Sequence, residues 1–379
     1  FDISKRNKRE DSSMKVSIAR GALLDALSTV SKGLSSRTTL PILSGIHLST
    51  GAEDLVLQAT DLEVSIKTSA IAKIDDPGQT VVPGRLLTDI VRSLPEAAVT
   101  IDSTQAGIAT VVCGQSRFTI KTLAAEDYPK FPEVDPEKTV TLPTEVFAHV
   151  VQQVSRSVSK DETRPILTGI LVVVEAGVLR MVATDSYRLC VKETPVGDVS
   201  GEIDLVVPGK AMEDVARLSG GAESLSIGVS DNQVVFTFGG TTFISRRIEG
   251  SFPNYRQLLP KEYTTRAVMD RVELLEAVKR VSLMAQHNAP LRVSINAADH
   301  TLSLSATTQD IGEAREDIQV TPEGETVEIA FNHGYLTDGV AISEGDTVAL
   351  EVTSPLKPGV LKPADGDGFV YLLMPVRLG

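Results

Sequence analysis

Apolar residues along this chain fall into two alternating rhythms. Leu23, Leu27, Val30 and Leu34 are spaced three and four apart, as are Phe147, Val150, Val154 and Val158, and again Leu274, Val278 and Val281. That spacing lines one face of an α-helix. Each such stretch gives way to period-two alternation, as over residues 55–66 and 179–191, which predicts strands with one buried face. Asp76-Pro77-Gly78 and Gly220-Gly221 supply turns between strands. A second helix is predicted after Pro83, with Leu86, Leu87, Ile90, Val91 and Leu94 on one face, and Pro208 starts its counterpart, since proline is tolerated in a first helical turn. The third counterpart, around Tyr335 and Leu336, has the thinnest helical pattern.

The order recurs because the chain repeats itself. Leu40-Pro41-Ile42-Leu43-Ser44-Gly45-Ile46 returns 124 residues later as Arg164-Pro165-Ile166-Leu167-Thr168-Gly169-Ile170, and Ala59-Thr60-Asp61 returns at the same shift as Ala183-Thr184-Asp185. Val81-Val82-Pro83-Gly84-Arg85 returns 125 residues later as Val206-Val207-Pro208-Gly209-Lys210, and faintly as Ala330-Phe331-Asn332-His333-Gly334. Pro290 and Asp310 stand 125 residues after Pro165 and Asp185, so the third copy is in register. Similarity at one long period means tandem domains of one architecture. Each third reads as strand, helix and strands twice over, an α+β domain with helices on one side of antiparallel sheet. The 379 residues exceed what one core organises, which agrees with three domains. Residues 1–14 read as an extension outside the fold, 15–137 as the first domain, 138–261 as the second and 262–379 as the third. Linkers are expected near Asp135-Pro136 and Pro260-Lys261.

Composition narrows the function. Hydrophobic residues make up 42% and aromatic ones 4%, with no Trp, the profile of a soluble, aliphatic-cored protein. Cys113 and Cys190 are too far apart for a metal-ligand spacing and read as buried thiols of a reduced, cytoplasmic protein. No apolar run approaches the roughly 18 residues a membrane span needs. The net charge of -13 argues against a generally basic nucleic-acid binder, so any DNA contact requires basic residues gathered on one surface. The polar faces of the predicted helices carry Arg20, Lys32 and Arg37; Arg85 and Arg92; Arg156 and Lys160; Lys210 and Arg217; and Arg271, Lys279 and Arg280, while the last offers only His333. Acidic residues share these helices, but strands and turns hold most of the acid.

Motifs for chemistry are missing. There is no P-loop, HExxH, GxSxG or CxxC, and the five histidines stand singly, so no catalytic group, metal or cofactor is expected. Asp365-Gly366-Asp367-Gly368 lacks the spaced ligands of a calcium loop and reads as a hairpin turn. Thr184-Asp185 is matched by Thr60-Asp61 in the first repeat, so a structural turn accounts for both. Two oddities stand out: the middle repeat carries Ser186-Tyr187-Arg188-Leu189 where the first has Leu62-Glu63-Val64, and the chain ends on the apolar run Tyr371-Leu372-Leu373-Met374-Pro375-Val376-Arg377-Leu378.

These segments, with Leu40-Pro41-Ile42-Leu43 and Ser251-Phe252-Pro253-Asn254-Tyr255, closely resemble the bacterial sliding clamps, the beta subunits of DNA polymerase III, from Met14 to Gly379. The resemblance implies three tandem clamp domains per subunit and a ring-shaped head-to-tail homodimer, with helices lining a central channel and antiparallel sheets outside. It places the seam between the first domain near Phe118 and Ile120 and the third near Leu283 and Met284. It implies a pocket for partner peptides lined by Leu167, Thr184, Ser186, Tyr187, Arg188, Leu189, Pro253, Leu258, Tyr335, Leu356, Leu372, Leu373, Met374, Pro375, Val376 and Arg377. Gln257 stands where some relatives have a second arginine. Such a clamp is a processivity factor and not an enzyme. Its implied partners are duplex DNA without sequence preference, DNA polymerase III subunits, an ATP-driven clamp loader, and repair polymerases and other proteins that use short motifs. Arg37, Arg85, Arg92, Lys210 and Arg217 are the expected phosphate contacts. The alternative is a tandem-repeat peptide-binding adaptor that does not encircle DNA.

Overall fold

A computed structural model of the chain describes residues 13–35, 40–197, 199–285, 289–309 and 311–377. Among them are six α-helices, two per repeat: α1 (Arg20–Val30), α2 (Gly84–Ser93), α3 (Thr144–Val154), α4 (Gly209–Leu218), α5 (Arg271–Ser282) and α6 (His333–Ile342). Each repeat runs strand, helix, three strands, a further strand, helix and three strands, with one short strand added in the first (Lys73–Asp76) and one in the third (Thr321–Gly324). The first helix of every repeat starts with the same backbone bond, from Arg20 N–H to the Ala97 carbonyl (3.1 Å), Thr144 to Glu223 (3.2 Å) and Arg271 to Asp346 (2.8 Å).

Local chemistry explains where the elements depart from the periodicity. The helical spacing extends to Leu34 and Val158, but α1 and α3 stop at Val30 and Val154 and a 3-10 turn follows. Leu34 and Val158 return in extended backbone and pack against Gly84 and Gly209, where an added Cβ would lie 2.6 Å from Leu34 and 2.9 Å from Val158. Those glycines begin α2 and α4, so Pro208 ends a strand instead of opening the helix. The thin pattern around Tyr335 is nevertheless a ten-residue helix, because the Asn332 side chain accepts the Tyr335 N–H at 3.1 Å and caps it. The alternation over 55–66 and 179–191 is in each case a hairpin rather than one strand, broken by the Thr-Asp turn into Asp54–Thr60 with Val64–Ile71, and Val178–Thr184 with Arg188–Pro195.

Contacts divide the chain into two compact units, Phe1–Thr144 with Arg217–Arg247, and Glu145–Ala216 with Ile248–Gly379. The first contains an antiparallel sheet in the order Lys73–Asp76, Lys15–Ala19, Ala98–Asp102, Ile108–Cys113, Ser116–Lys121. Its eight-stranded sheet brings Thr241–Arg246, the last strand of the middle repeat, against Val64–Ile71 of the first, with Phe243 opposite Ile66. In the second unit a nine-stranded sheet brings Phe369–Leu373, the last strand of the third repeat, against Arg188–Pro195, with Leu189 opposite Leu372. A four-stranded sheet runs Gly312–Gln319, Thr301–Thr308, Leu291–Asn296, Val327–Phe331. The middle repeat therefore gives half its strands to each unit. Except for Leu86, expected on the same face of α2 but 48% exposed, the predicted apolar faces are buried: Leu23, Leu27 and Val30 with Leu87 and Val91, and Leu274, Val278 and Val281 with Leu336. Each such side chain contributes about 1.5–3 kcal/mol by leaving water.

Candidate functional site

The turn that separates the two strands of the middle-repeat hairpin is held by its own side chains. Thr184 Oγ1 donates to the Arg188 carbonyl (2.7 Å) and accepts the Ser186 N–H (3.2 Å), while Asp185 Oδ1 accepts the N–H groups of Tyr187 (2.9 Å) and Arg188 (3.0 Å). The first repeat builds the same turn with Thr60 and Asp61, and Leu62 and Ser186 share a left-handed backbone at φ 77° and 79°. Thr184 and Asp185 thus shape the backbone of this turn as Thr60 and Asp61 do in the first repeat, which is the structural turn their repetition predicted.

What the middle turn adds is a charged and aromatic cluster. Arg188 donates from Nε to Asp185 (3.0 Å) and from Nη1 to Asp338 (2.6 Å) and the Tyr371 hydroxyl (3.3 Å), and its guanidinium lies 4.4 Å over the Tyr335 ring. Burial disfavours the charge, but Tyr371, Asp338 and Asp185 outweigh it and raise the Arg188 pKa. Tyr371 donates to the Tyr335 carbonyl at 2.9 Å, and burial pushes its own pKa up. Tyr335 stacks on Tyr187 with ring centres 6.4 Å apart. Arg164 joins from the side, donating to Ser186 Oγ at 2.8 Å.

The expected pocket residues separate into a floor and a rim. Leu189 and Leu372 belong to a buried cluster with Val182, Val191, Tyr255 and Val360, against which Phe252 and Leu259 pack. Leu167, Thr184 and Leu373 are buried too. Tyr187 (60% exposed), Leu258 (50%), Leu356 (74%) and Met374 (41%) stand out in solvent, and Tyr187, Leu356 and Met374 lie at one end of the nine-stranded sheet. Ser186, Pro253 and Arg377 are exposed, and Arg188, Tyr335, Pro375 and Val376 are intermediate. The terminal segment is tied down where it leaves the sheet, by Met374 N–H to the Tyr187 carbonyl (2.9 Å) and Val376 N–H to the Ala330 carbonyl (2.8 Å). Gln257 is exposed on a 3-10 turn, Tyr255–Gln257. Leu356 stands on the turn before Gly359, the residue opposite Leu373.

Sequence reasoning missed Arg164, Asp338 and Tyr371 in this cluster. Asp338 had a signal, since it sits three residues after Tyr335 and so on the same side of α6.

The expected phosphate-contacting residues are on helix surfaces. Arg85 and Arg92 are exposed on α2 and Lys210 and Arg217 on α4, while Arg37 lies outside the described residues. Arg92 pairs with Asp89 (2.9 Å) and Lys210 with Asp214 (3.1 Å), contacts one helical turn apart. The Arg92–Asp89 pair is exposed on both sides and worth a few tenths of a kcal/mol, whereas Asp214 is buried beneath Lys210. Two other basic residues are structural: Arg20 donates to the carbonyls of Val91 (3.1 Å) and Arg92 (2.7 Å) at the end of α2, and Arg271 to the Gly345 carbonyl (2.8 Å) beyond α6. Of the expected seam residues, Ile120 is buried, Phe118 and Met284 are half-buried and Leu283 is 72% exposed. The segment Asp365-Gly366-Asp367-Gly368 connects two paired strands as a hairpin turn, and among the described residues no group of three or more His, Cys, Asp or Glu is placed to hold a metal. No described helix is long and apolar enough to cross a membrane.

Comparison with known proteins adds the following. Family models of the DNA polymerase III beta subunit match in succession: the N-terminal domain over residues 14–132, the central domain over 141–254 and the C-terminal domain over 256–377. A beta sliding clamp of Streptomyces coelicolor is 37% identical over 378 residues, covering 96% of this chain and 100% of that relative. The crystal structure of the DNA polymerase sliding clamp of Bacillus subtilis superposes with a TM-score of 0.92 at 29% identity, covering 97% of this chain and 100% of that one. A Pseudomonas aeruginosa sliding clamp bound to griselimycin superposes with a TM-score of 0.90 at 30% identity, again over 97% and 100%.

Proposed function

The chain belongs to the DNA polymerase III beta subunit family, and from that premise we propose that it is a processivity factor, a sliding clamp that encircles duplex DNA and tethers the replicative polymerase. It catalyses nothing itself. Its work is topological: a closed ring stays on DNA without tight contacts, and weak, counterion-dependent phosphate contacts from exposed helix residues such as Arg85, Arg92, Lys210 and Arg217 leave it free to slide.

The observation that carries the ring is the repetition of one seam. Inside the chain, the last strand of a repeat twice pairs with the strand after the Thr-Asp turn of the preceding repeat. Ser116–Lys121 is the last strand of the first repeat and Gly312–Gln319 the corresponding strand of the third, and among the described residues both are sheet edges. A second copy, arranged head to tail, supplies each with its partner, and two copies close without leftover edges. In this pairing Arg117 and Lys121 on one edge meet a strand bearing Glu313, Glu316 and Asp317 on the other. Opposite charges at such a seam favour this pairing over others. Phe118, Ile120, Leu283 and Met284 are its apolar part.

The rim of Tyr187, Leu258, Leu356 and Met374 over an aliphatic floor suits short partner segments that carry glutamine and large apolar side chains. In this reading polymerase III subunits, an ATP-driven loader, repair polymerases and other replication proteins compete for it, and the setting is the cytoplasm. Retention on DNA is the deciding test. Loaded protein is expected to stay on a nicked circle through gel filtration and to depart when the circle is linearised. A peptide-binding adaptor is not retained, and a direct DNA binder is indifferent to linearisation.

A further inference from the structure

Two carboxylates of and just beyond α6 each bridge two nitrogen-bearing side chains drawn from different elements. Asp338 accepts from Arg188 through Oδ2 (2.6 Å) and from Arg156 through Oδ1 (3.0 Å). Glu344 meets Lys192 through Oε2 (2.7 Å) and His149 through Oε1 (2.7 Å). Arg188 and Lys192 lie four residues apart on one strand and so point to the same face, while His149 and Arg156 come from α3 and the 3-10 turn that follows it.

The bridges differ in what lies beyond them. Lys192 is a buried strand residue opposite Phe369, at the far end of its ladder from Leu373. Arg188 leads to the pocket: its guanidinium stacks on Tyr335, Tyr335 stacks on Tyr187, and Tyr187 is exposed at the rim. The Arg188 side chain is only 10% exposed, against 49% for Arg156, so Asp338 joins an inner arginine to an outer one. A carboxylate shared by two guanidinium groups holds each less firmly than it would hold one alone.

We propose that Asp338 is a positioning residue for the peptide pocket, and that Arg156 sets how firmly it holds Arg188 against the Tyr335 and Tyr187 wall. The proposal rests on the pocket reading above. A peptide needs that wall in place before it arrives, since ordering it on binding lowers affinity. Asp338→Asn keeps the shape and one acceptor but loses the charge, which leaves the guanidinium held through Nε by Asp185 and more weakly at its Nη1 end, where it can tilt. Arg156→Ala gives Asp338 wholly to Arg188.

The test is a fluorescence-anisotropy titration of the full-length protein with a labelled peptide carrying glutamine, leucine and phenylalanine. Asp338→Asn is expected to raise Kd about 5- to 10-fold and Arg156→Ala to lower it about 2-fold. In the Asp338→Asn background Arg156→Ala should have no effect, a non-additivity that a general loss of stability does not produce. Glu344→Gln removes the other bridge and should leave Kd unchanged. Additive effects of Asp338 and Arg156, or an equal loss from Glu344→Gln, overturn the proposal. Met374→Ala separates the two claims: if it weakens binding while Asp338→Asn does not, the positioning role alone falls, and if neither does, the pocket falls with it.

Discussion

At the first junction the turn over residues 60–64 presents Leu62 and Glu63; at the second the same turn presents Ser186 and Tyr187. Behind the turn, Val64 and Ser65 correspond to Arg188 and Leu189, and His47 and Tyr128 to Leu171 and Phe252. The first junction is built largely from polar side chains bonded to one another, although His47 Nδ1 is buried without a partner. Thr60 bonds to Ser65 (2.8 Å), Thr68 reaches Thr241 across the seam (2.9 Å), and His47 stacks on Tyr128 at 5.4 Å. The Tyr128 hydroxyl lies 3.3 Å from the carbonyls of Gly45 and Gln58, and burial pushes its pKa up to about 12. At the second junction an aliphatic cluster fills the corresponding place and large apolar residues remain exposed around it. Hydrogen bonds require a fixed partner in a fixed direction, whereas an apolar surface is completed by any segment of matching shape. One backbone plan thus carries a polar, internally bonded seam in one place and, in the reading proposed above, a receiving surface in the other.

The sharpest way to break this comparison is to truncate the residue behind each turn. Leu189→Ala is expected to cost about 2–5 kcal/mol in urea unfolding, because Leu189 is a floor residue of the buried cluster. Ser65→Ala should cost about 0.5–1.5 kcal/mol, the loss of one hydrogen bond. Equal costs mean that the two junctions are packed alike and that the floor is not a distinct apolar core. A rim substitution has a smaller effect of another kind. Met374→Ala should leave unfolding nearly unchanged while weakening peptide binding about 10-fold, roughly 1.4 kcal/mol. Leu62→Ala, also half exposed, should leave peptide affinity where it was; an equal loss assigns peptide to the first junction as well.

Much of this was legible in the sequence, and the limits have physical causes. Repeats and helical faces are local or periodic, so the three-part organisation and the core positions of α1, α3 and α5 could be read directly. The repeated Thr-Asp pair was readable as a structural turn, but the strand ends around it were not, because the apolar alternation runs on through Leu62, which at φ 77° is not a residue that announces a left-handed turn. α6 was faint because its start depends on one capping bond from Asn332. At the site, the residue types of the rim were recognisable, but whether Leu189 and Leu372 line a surface or lie under it depends on which strand pairs with Arg188–Pro195, and Leu372 stands 183 residues after Leu189. The Asp338 bridge was beyond sequence reasoning, since it depends on the meeting of α6, a strand and a 3-10 turn.

The smallest expected effect probes the polar character of the first junction through pH. His47 has its pKa lowered chiefly by burial, with a 2.9 Å hydrogen bond to Gln79 partly offsetting it. The folded protein therefore holds this imidazole neutral at pH values where the unfolded chain, titrating near 6.5, already takes up a proton. As pH falls through 6.5 the unfolded state gains that proton first, so stability is full above about pH 6.5 and declines below it until the folded imidazole also titrates. His47→Leu copies the residue at position 171 and removes this contribution. Thermal melts of the two proteins between pH 7.5 and 5.5 should then diverge in slope, with the wild type losing more of its Tm than the variant. The contrast in slope is the relevant quantity, because the substitution also removes the bond to Gln79 and shifts the absolute Tm at every pH. Parallel profiles mean that His47 is protonated in the fold as easily as in the open chain, and the first junction is then wetter than its buried Tyr128 and stacked rings imply.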